Sequence, residues 1–346
     1  MTRYVVTYVG VSVNPGARTL SRRRKTTACI ISARSATSRV ANGGVVKPTR
    51  PFRLRNPAVA IVSGLLAFGP VVRIDARQTR SASEILDIAR GSFLFSDPAA
   101  NRPITVWFCR PPTIIPDTRI LFVMHGSESE TARRACEIAS PYVQSLNVIV
   151  LAPQFSEQSF PGDAYMFGNM IDPSGRARPK RMWALTVIER LFDLVRDTTG
   201  LTRPEYDIVG FSGGAQFVHR LVLFVPEARF RRAIAAGAGR YAFPSWSARF
   251  PYGLAGSPAT RAVLPKVLSR DFVVLLGDRD TSDREREPGA AAQGASRFAR
   301  GLRFFAAAAD EATALQVPLR WELRIAHGLD HSPAPMVQAA LDLLRR

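Results

Sequence analysis

Short apolar runs alternate with longer segments of helical periodicity over most of the chain after residue 100. A helix places apolar residues three or four positions apart, whereas a fully buried strand reads as a short continuous apolar run. Helices are predicted at 131–146, 181–197, 215–225, 290–314 and 335–346, and strands at 104–108, 119–124, 147–152, 206–210, 232–236, 271–276 and 320–326. Strands that alternate with helices favour a mostly parallel sheet with helices on both faces. We therefore predict one α/β domain over residues 78–346.

Two segments between the predicted elements lack a regular pattern. Residues 153–180 and 240–258 are rich in proline, glycine and aromatic residues. Long ordered loops are frequently functional, so both segments are candidates for the walls of a substrate pocket. Simple packing of their aromatic residues on the domain is an equally weighted alternative.

The first 77 residues differ in composition from the rest of the chain. Residues 1–57 are rich in Arg, Ser, Thr and Gly and contain no clear helix or strand pattern beyond the first dozen positions. Such a composition predicts a disordered basic segment. Residues 58–72 are uncharged and mostly apolar, and Ile74-Asp75-Ala76 follows them. An apolar run of this length before a small-residue cleavage site is typical of a secretory signal peptide over residues 58–77.

The position of that apolar run decides the expected location of the protein. If residues 58–76 act as a signal peptide, the protein is exported to the periplasm or secreted. A signal peptide begins near the first residue, which would move the translation start to Val45, Val46 or Leu54. Without cleavage, the run either tethers the protein to a membrane or packs on a cytoplasmic domain. Any membrane contact is therefore expected to be transient and to involve this segment.

Charge is distributed unevenly along the chain. The formal net charge is +19, and residues 1–77 contribute +13 of it. Because the excess lies in the N-terminal segment and no nucleic-acid-binding motif is present, we expect no nucleic-acid partner. Of the three cysteines, Cys29 lies in that segment. Cys109 and Cys136 form either a disulfide in an exported protein or two buried free thiols.

The motif that carries most chemical information is Gly210-Phe211-Ser212-Gly213-Gly214. It follows the predicted strand 206–210 and precedes the predicted helix 215–225. A Gly-x-Ser-x-Gly sequence between a strand and a helix is a nucleophile elbow, a sharp turn that points the serine hydroxyl out of the sheet. Small residues are needed on both sides because the turn brings the backbone close to itself. Ser212 is therefore the predicted nucleophile.

A serine hydroxyl needs an imidazole to take its proton and a carboxylate to orient that imidazole. In chain order the acid and then the histidine should follow later strands. Asp280 follows the strand 271–276 and is our choice for the acid, with Asp278 and Asp283 as alternatives. After the strand 320–326 come two histidines. His331, just before the last helix, is our choice for the base, and His327 is the alternative.

An oxyanion formed during attack on a carbonyl needs backbone N–H donors. Gly213 supplies one because it follows the nucleophile, and the loop after the strand 119–124 supplies the other through Ser127 or, alternatively, Gly126. The neighbouring Glu128 is expected to face solvent or to cap the following helix. His327 and His331 lie four apart, but in a loop rather than a helix, so neither a metal nor another cofactor is expected.

These stretches resemble serine esterases of the α/β-hydrolase superfamily, and among them bacterial proteins related to poly(3-hydroxybutyrate) depolymerases and feruloyl esterases. The resemblance covers residues 104–346 and rests on the elbow, on Gly277-x-x-Asp280 and on Gly328-x-x-His331. It implies an α/β-hydrolase fold and hydrolysis of a small or polymeric carboxylic ester through an acyl-enzyme. A peptidase or amidase with the same triad, a membrane-tethered hydrolase and a non-catalytic binding protein are the alternatives.

Overall fold

One mixed sheet connects the strands of the residues that the structure describes. The structure is a computed structural model, and it describes residues 7–9, 81–97, 99, 102–282 and 288–345. Within these residues nine strands are present: β1 (Thr7–Val9), β2 (Arg90–Asp97), β3 (Arg102–Cys109), β4 (Arg119–Met124), β5 (Val148–Gln154), β6 (Tyr206–Phe211), β7 (Phe230–Ala236), β8 (Phe272–Gly277) and β9 (Trp321–Ala326).

The strand order is β1-β9-β8-β7-β6-β4-β5-β3-β2. Of these strands, only β3 runs antiparallel to its neighbours β2 and β5, and all other pairs are parallel. The carboxyl ends of β4, β6, β7, β8 and β9 therefore meet at one edge of the sheet. Loops that follow these strands can bring distant parts of the sequence together at this edge.

Helices cover both faces of the sheet. The α-helices of the described residues are α1 (Glu84–Asp87), α2 (Thr131–Ala139), α3 (Val143–Leu146), α4 (Ala184–Thr199), α5 (Gly213–Phe224), α6 (Leu264–Leu268), α7 (Pro288–Ala291), α8 (Arg297–Ala314) and α9 (Pro333–Asp342). One apolar cluster joins α4, α5, α6 and α8 to one face, and a second joins α2, α3 and α9 to the other. Successive residues of β4 alternate between the clusters, because side chains along a strand point to opposite faces.

The predicted fold class, an α/β-hydrolase fold with a mostly parallel sheet between two helical layers, is confirmed. Each predicted strand and helix in 104–346 overlaps an element of its type, and the helix predicted at 290–314 is divided into α7 and α8. Four described strands and α-helices, β1, β2, α1 and α6, were not predicted. β1 lies within the segment 1–57 for which disorder is predicted, so the structure differs from the prediction at these three residues. The strand falls in the first dozen positions, where Val and Tyr favour extended backbone.

The predicted signal-peptide segment 58–77 and Cys29 lie outside the described residues. Among the helices that the structure describes, none combines the length and apolar character that a membrane crossing requires. Cys109 and Cys136 are buried free thiols in contact, since the Cys109 thiol donates to the carbonyl oxygen of Cys136 at 3.2 Å. Hydrogen bonding to Cys109, together with burial, raises the pKa of the Cys136 thiol.

Candidate active site

The elbow predicted from the glycine-serine motif is a sharp turn between β6 and α5. Ser212 is its central residue, with φ 54° and ψ −112°, a region that residues with a side chain rarely adopt. A Cβ on Gly210 would lie 2.2 Å from the carbonyl oxygen of Gly214, and a Cβ on Gly214 would lie 2.3 Å from that of Met124. Only glycine fits at these two positions, because the turn presses backbone against backbone.

His331 lies between Ser212 and Asp280. The His331 Nε2 atom is 3.0 Å from the Ser212 Oγ atom, and Nδ1 is 2.7 Å from Asp280 Oδ2. Since a carboxylate only accepts hydrogen bonds, Nδ1 donates to Asp280 and Nε2 is left to accept the serine proton. Asp280 is 3% exposed, and about a quarter of the His331 side chain is accessible. The three preferred residues are thus in direct contact.

Further residues surround the Asp280–His331 contact. Arg297, at the start of α8, places Nη1 3.5 Å from Asp280 Oδ1, and the guanidinium is buried. The Phe211 ring packs on the imidazole of His331 with centroids 4.6 Å apart. Gly237 is the residue after β7. A Cβ on it would lie 3.5 Å from Asp280 Oδ2 and 3.6 Å from His331 Nδ1, so the backbone passes directly beside this pair.

The alternative candidates lie apart from Ser212 or outside the description. Asp278 and His327 contact each other instead, with His327 Nδ1 2.7 Å from Asp278 Oδ2. The other carboxylate oxygen of Asp278 accepts a hydrogen bond from the Gly328 amide at 2.7 Å. Asp283 lies outside the described residues. The structure therefore brings Asp280 and His331 to the serine and places Asp278 and His327 in a second pair.

The two backbone segments predicted to bind an oxyanion lie against each other. A Cβ on Gly213 would be 2.7 Å from the Ser127 nitrogen and 2.8 Å from the Gly126 carbonyl carbon. The start of α5 therefore contacts the loop between β4 and α2 next to Ser212. Glu128 is exposed, as expected, and its carbonyl oxygen accepts a hydrogen bond from the Thr131 amide at 3.1 Å.

His125 fixes the conformation of this loop from below. Its Nδ1 donates to the Gly126 carbonyl at 2.7 Å, and its Nε2 accepts from the Phe155 amide at 3.1 Å. The Tyr165 ring stacks on the imidazole at 4.2 Å. Burial lowers the pKa of His125 to about 4, so the ring is neutral at neutral pH, as the two bonds require. The neutral imidazole therefore links the loop that carries Gly126 and Ser127 to the start of the segment 153–180.

His219 is a structural histidine inside α5. Its Nδ1 is 2.9 Å from the Ala215 carbonyl oxygen, and its Nε2 accepts from the Ala242 amide at 3.0 Å. Burial, followed by the charge of Arg220, lowers its pKa well below the ordinary value. The ring therefore links the elbow helix to the start of the second irregular segment.

Buried arginines connect the two irregular segments to the elbow helix. Arg220 and Arg240 place their guanidinium groups 4.7 and 4.8 Å from the ring centre of Phe167. Arg220 donates to carbonyl oxygens of both loops, at Met166 and Pro251, and Arg240 pairs with a carboxylate of the first loop at 2.7 Å. Sequence reasoning missed these arginines, because arginine is usually a surface residue.

A cavity of about 130 Å³ lies beside Ser127, between the β4–α2 loop and the segment 153–180. Aromatic and apolar side chains form part of its wall, and three carboxylates line it as well. Its lining residues are Ser127, Glu128, Ser129, Glu130, Phe155, Glu157, Phe160, Gly162, Tyr165 and Met166. One of the two irregular segments thus borders space next to the candidate reaction centre.

Solved structures with the same architecture include hydrolases of polymers. The chain is 38% identical to poly(aspartic acid) hydrolase-1 from Sphingomonas sp. KT-1, with a TM-score of 0.72, and the match covers 75% of this chain and 99% of that one. It is 29% identical to the poly(3-hydroxybutyrate) depolymerase LpqC from Bordetella parapertussis, with a TM-score of 0.73 and coverage of 77% and 93%. No protein-family model and no curated protein matched the sequence.

An identity of 38% over almost the whole length of one of these enzymes shows that the two proteins belong to the same family. The chain belongs to the α/β-hydrolase family, and it is an enzyme of the serine hydrolase class. The resemblance stated from the elbow and the two loop motifs is confirmed at this level.

Proposed function

We propose that the enzyme hydrolyses a carboxylic ester through an acyl-enzyme formed on Ser212, with His331 as general base and acid and Asp280 as its partner. The observation that carries the proposal is the continuous contact from hydroxyl to imidazole to carboxylate, at 3.0 and 2.7 Å. This arrangement provides an acceptor for the serine proton and a buried negative charge that stabilises the imidazolium.

The reaction follows from these contacts in two halves. His331 Nε2 takes the proton of Ser212 as Oγ bonds to the ester carbonyl carbon. The imidazolium returns that proton to the alcohol oxygen as the carbon–oxygen bond breaks, which leaves an acyl ester on Ser212. Water then gives a proton to Nε2 and its oxygen to the carbonyl carbon. Ser212 leaves with the proton, and the carboxylic acid is released.

Backbone amides would stabilise the negative oxygen formed in both halves. We assign this role to the N–H groups of Gly213 and Ser127, with Gly126 as the alternative to Ser127. The close approach of Gly213 to the Gly126–Ser127 peptide supports this assignment. Loss of a single donor of this kind typically reduces kcat by a factor of about 100 to 1,000.

The second candidate function is cleavage of an amide, and the comparison with a poly(aspartic acid) hydrolase favours it because that polymer is a polyamide. The carboxylates of Glu128, Glu130 and Glu157 at the cavity beside Ser127 oppose a polyanionic substrate. We therefore place an uncharged ester, small or polymeric, ahead of polyaspartate. Comparing hydrolysis of 3-hydroxybutyrate oligomers with that of aspartate oligomers separates the two.

The triad is tested with Ser212→Ala and a fluorophosphonate probe. The wild type should be labelled and should hydrolyse p-nitrophenyl esters, and Ser212→Ala should lose both with an unchanged circular dichroism spectrum. Removing a triad member typically lowers the rate by about 10⁴ or more. Ser145→Ala, an exposed serine at α3, is the matched control and should keep full activity. Activity in Ser212→Ala, or an unlabelled wild type, contradicts the proposal.

We also propose that the enzyme is exported, with residues 58–76 as the signal peptide. The support is the uncharged run 58–72 followed by Ala76. N-terminal sequencing of the extracellular or periplasmic protein should give a chain that begins near residue 77. A mature form that keeps residues 1–50 would contradict export by this signal, and recovery in the membrane fraction would favour a tether.

A further inference from the structure

The turn that carries Asp280 and the turn that carries His331 are joined by a second set of contacts. The Asp278 amide donates to the Ala326 carbonyl at 3.3 Å, and the Arg279 amide donates to the Leu329 carbonyl at 3.0 Å. A Cβ on Gly277 would lie 2.4 Å from the Leu329 oxygen, so the two turns are in backbone contact as well.

The carboxylate of Asp278 adds two hydrogen bonds between the turn 277–280 and the turn 327–331. One oxygen accepts from His327 Nδ1 and the other from the Gly328 amide, both at 2.7 Å. Gly328 has a φ of +73°, so the chain bends sharply at the residue that this carboxylate binds. Asp278 lies two residues before Asp280, and Gly328 lies three residues before His331. The contact therefore fixes both turns just upstream of the catalytic pair.

The Asp278 contact is available over the whole neutral range. Partial burial alone would raise the pKa of Asp278, but the hydrogen bonds from His327 and Gly328 outweigh it and lower the pKa below its ordinary value. The carboxylate is therefore ionised and accepts both bonds. Roughly half of the His327 side chain is exposed, and the histidine partner of Ser212 is His331 instead.

We propose that Asp278 is a positioning residue: by binding His327 and Gly328 it holds the turn 327–331 against the turn 277–280 and thereby sets His331 between Asp280 and Ser212. This inference rests on the proposed function, since it assigns the triad to those three residues. It also gives the Asp278–His327 pair a role without contact to substrate. Displacement of a catalytic group by about 1 Å can reduce a rate by a factor of about 100.

The experiment compares Asp278→Ala, Asp278→Asn and Asp330→Asn. Asp330 is an exposed acid next to His331, so Asp330→Asn removes an equal charge from the facing turn 327–331 and leaves the Asp278 contacts with His327 and Gly328 in place. We expect kcat for p-nitrophenyl acetate to fall by a factor of about 10 to 100 in Asp278→Ala, with KM within about twofold. Asp278→Asn keeps one acceptor oxygen, so its kcat should fall less than that of Asp278→Ala. The kcat of Asp330→Asn should equal that of the wild type.

A second readout follows the catalytic pair itself. The proton between His331 Nδ1 and Asp280 gives a low-field proton NMR resonance when the two groups stay in contact. It should broaden or disappear in Asp278→Ala and persist in Asp330→Asn, with His331→Gln used to assign it. Because this signal does not depend on turnover, a wild type with the resonance but without esterase activity contradicts the proposed function and not the positioning role.

Two results would overturn the positioning role. One is a folded Asp278→Ala variant with wild-type kcat and an unchanged low-field resonance. The other is an equal loss in Asp330→Asn, which would make the effect one of charge rather than of position. If Asp278→Ala does not fold, Asp278→Asn provides the same comparison, since it preserves the shape of the side chain.

Discussion

The two halves of the candidate site are held in place by different physical means. On the nucleophile side, β4, β6 and α5 bring backbone against backbone, and Gly210, Gly213 and Gly214 allow an approach that a Cβ would block. On the acid–base side, the loops after β8 and β9 are joined by hydrogen bonds to the carboxylates of Asp278 and Asp280 in addition to backbone contacts. The first half depends on shape, and the second depends in addition on charged hydrogen-bonding groups.

This difference predicts how each half fails. A side chain added at Gly210 or Gly214 would overlap backbone atoms of the sheet and of α5, which cannot move aside without disturbing the packed core. A carboxylate replaced on the other side creates no overlap with the backbone and removes hydrogen bonds and a charge. Replacement of an elbow glycine should therefore lower stability or prevent folding, and replacement of a carboxylate on the acid–base side should lower the rate.

The largest effect is expected from Gly214→Ala. The new Cβ would lie 2.3 Å from the Met124 carbonyl oxygen and 2.6 Å from that of His125. Relief of such an overlap requires β4 or α5 to move, which costs several kcal/mol or prevents folding. We expect loss of soluble protein or a strongly lowered Tm. Gly175→Ala is the control without overlap: its Cβ would meet open space, and its φ of +83° adds a strain that Gly214 in α5 does not have, so its loss of stability is an upper limit for glycine replacement alone. A stable, active Gly214→Ala variant would contradict the comparison.

The next effect is expected from Asp280→Asn, on the acid–base side. The amide preserves the shape of the side chain but stabilises the imidazolium poorly and favours the wrong tautomer of His331. We expect kcat to fall by a factor of about 10⁴ with a Tm within a few degrees of the wild type. Kinetics on p-nitrophenyl acetate, together with thermal unfolding, measure both quantities. A Tm loss as large as that of Gly214→Ala would remove the distinction between the two halves.

A third effect is a pH dependence of stability from His125, on the nucleophile side. Its pKa is about 4 when folded and 6.5 in its ordinary state. Above pH 6.5 neither state is protonated and the stabilisation is complete. As pH falls from 6.5 to 4, the unfolded chain binds a proton that the folded protein does not, which lowers the free energy of unfolding by about 3 kcal/mol.

Urea unfolding at pH 7 and pH 4 measures this loss. The His125→Gln variant lacks the titrating group, so its decrease between the two pH values should be smaller by about 3 kcal/mol. His327→Gln removes an exposed histidine instead and should keep most of the wild-type decrease. If the free energy of unfolding decreases equally in His125→Gln and the wild type between pH 7 and pH 4, His125 does not cause the pH dependence.

The smallest effect concerns the cavity beside Ser127. Neutralising Glu157 should change the ratio of kcat/KM for anionic and cationic esters by about two- to fivefold in favour of the anionic one, and less at high salt. Glu137→Gln, on α2 and paired with Arg133, is the control, because its carboxylate does not line the cavity. If the ratio of kcat/KM values is unchanged in Glu157→Gln, the substrate does not bind near this wall of the cavity.

The elements that position the site could be predicted because their apolar patterns are strong and their motifs are local. The elbow lies within five consecutive residues, and the proposed acid and base each follow a continuous apolar strand. β2 could not be predicted in this way. Phe93 and Phe95 are buried while Leu94, between them, is 39% exposed, so the segment lacks the apolar–polar alternation of a half-buried strand.

The contacts around the proposed triad could not be predicted, because they join residues that no sequence pattern connects. Arg297 reaches Asp280 from the start of α8, and its burial contradicts the usual preference of arginine for the surface. Residue type and position after a strand make Asp278 and His327 alternatives for the acid and the base, but neither observation predicts that they contact each other. Their mutual contact depends on the register of two turns, which only the folded backbone determines.

The three-residue strand β1 has a consequence for the edge of the sheet. It pairs in parallel with β9, opposite Arg324, Ile325 and Ala326, and so satisfies backbone groups that would otherwise face outward. Removal of the first 76 residues on export would take β1 away and leave the amides and carbonyls of β9 open to a new partner. Precursor and mature enzyme would then differ in their tendency to associate with other chains through this strand.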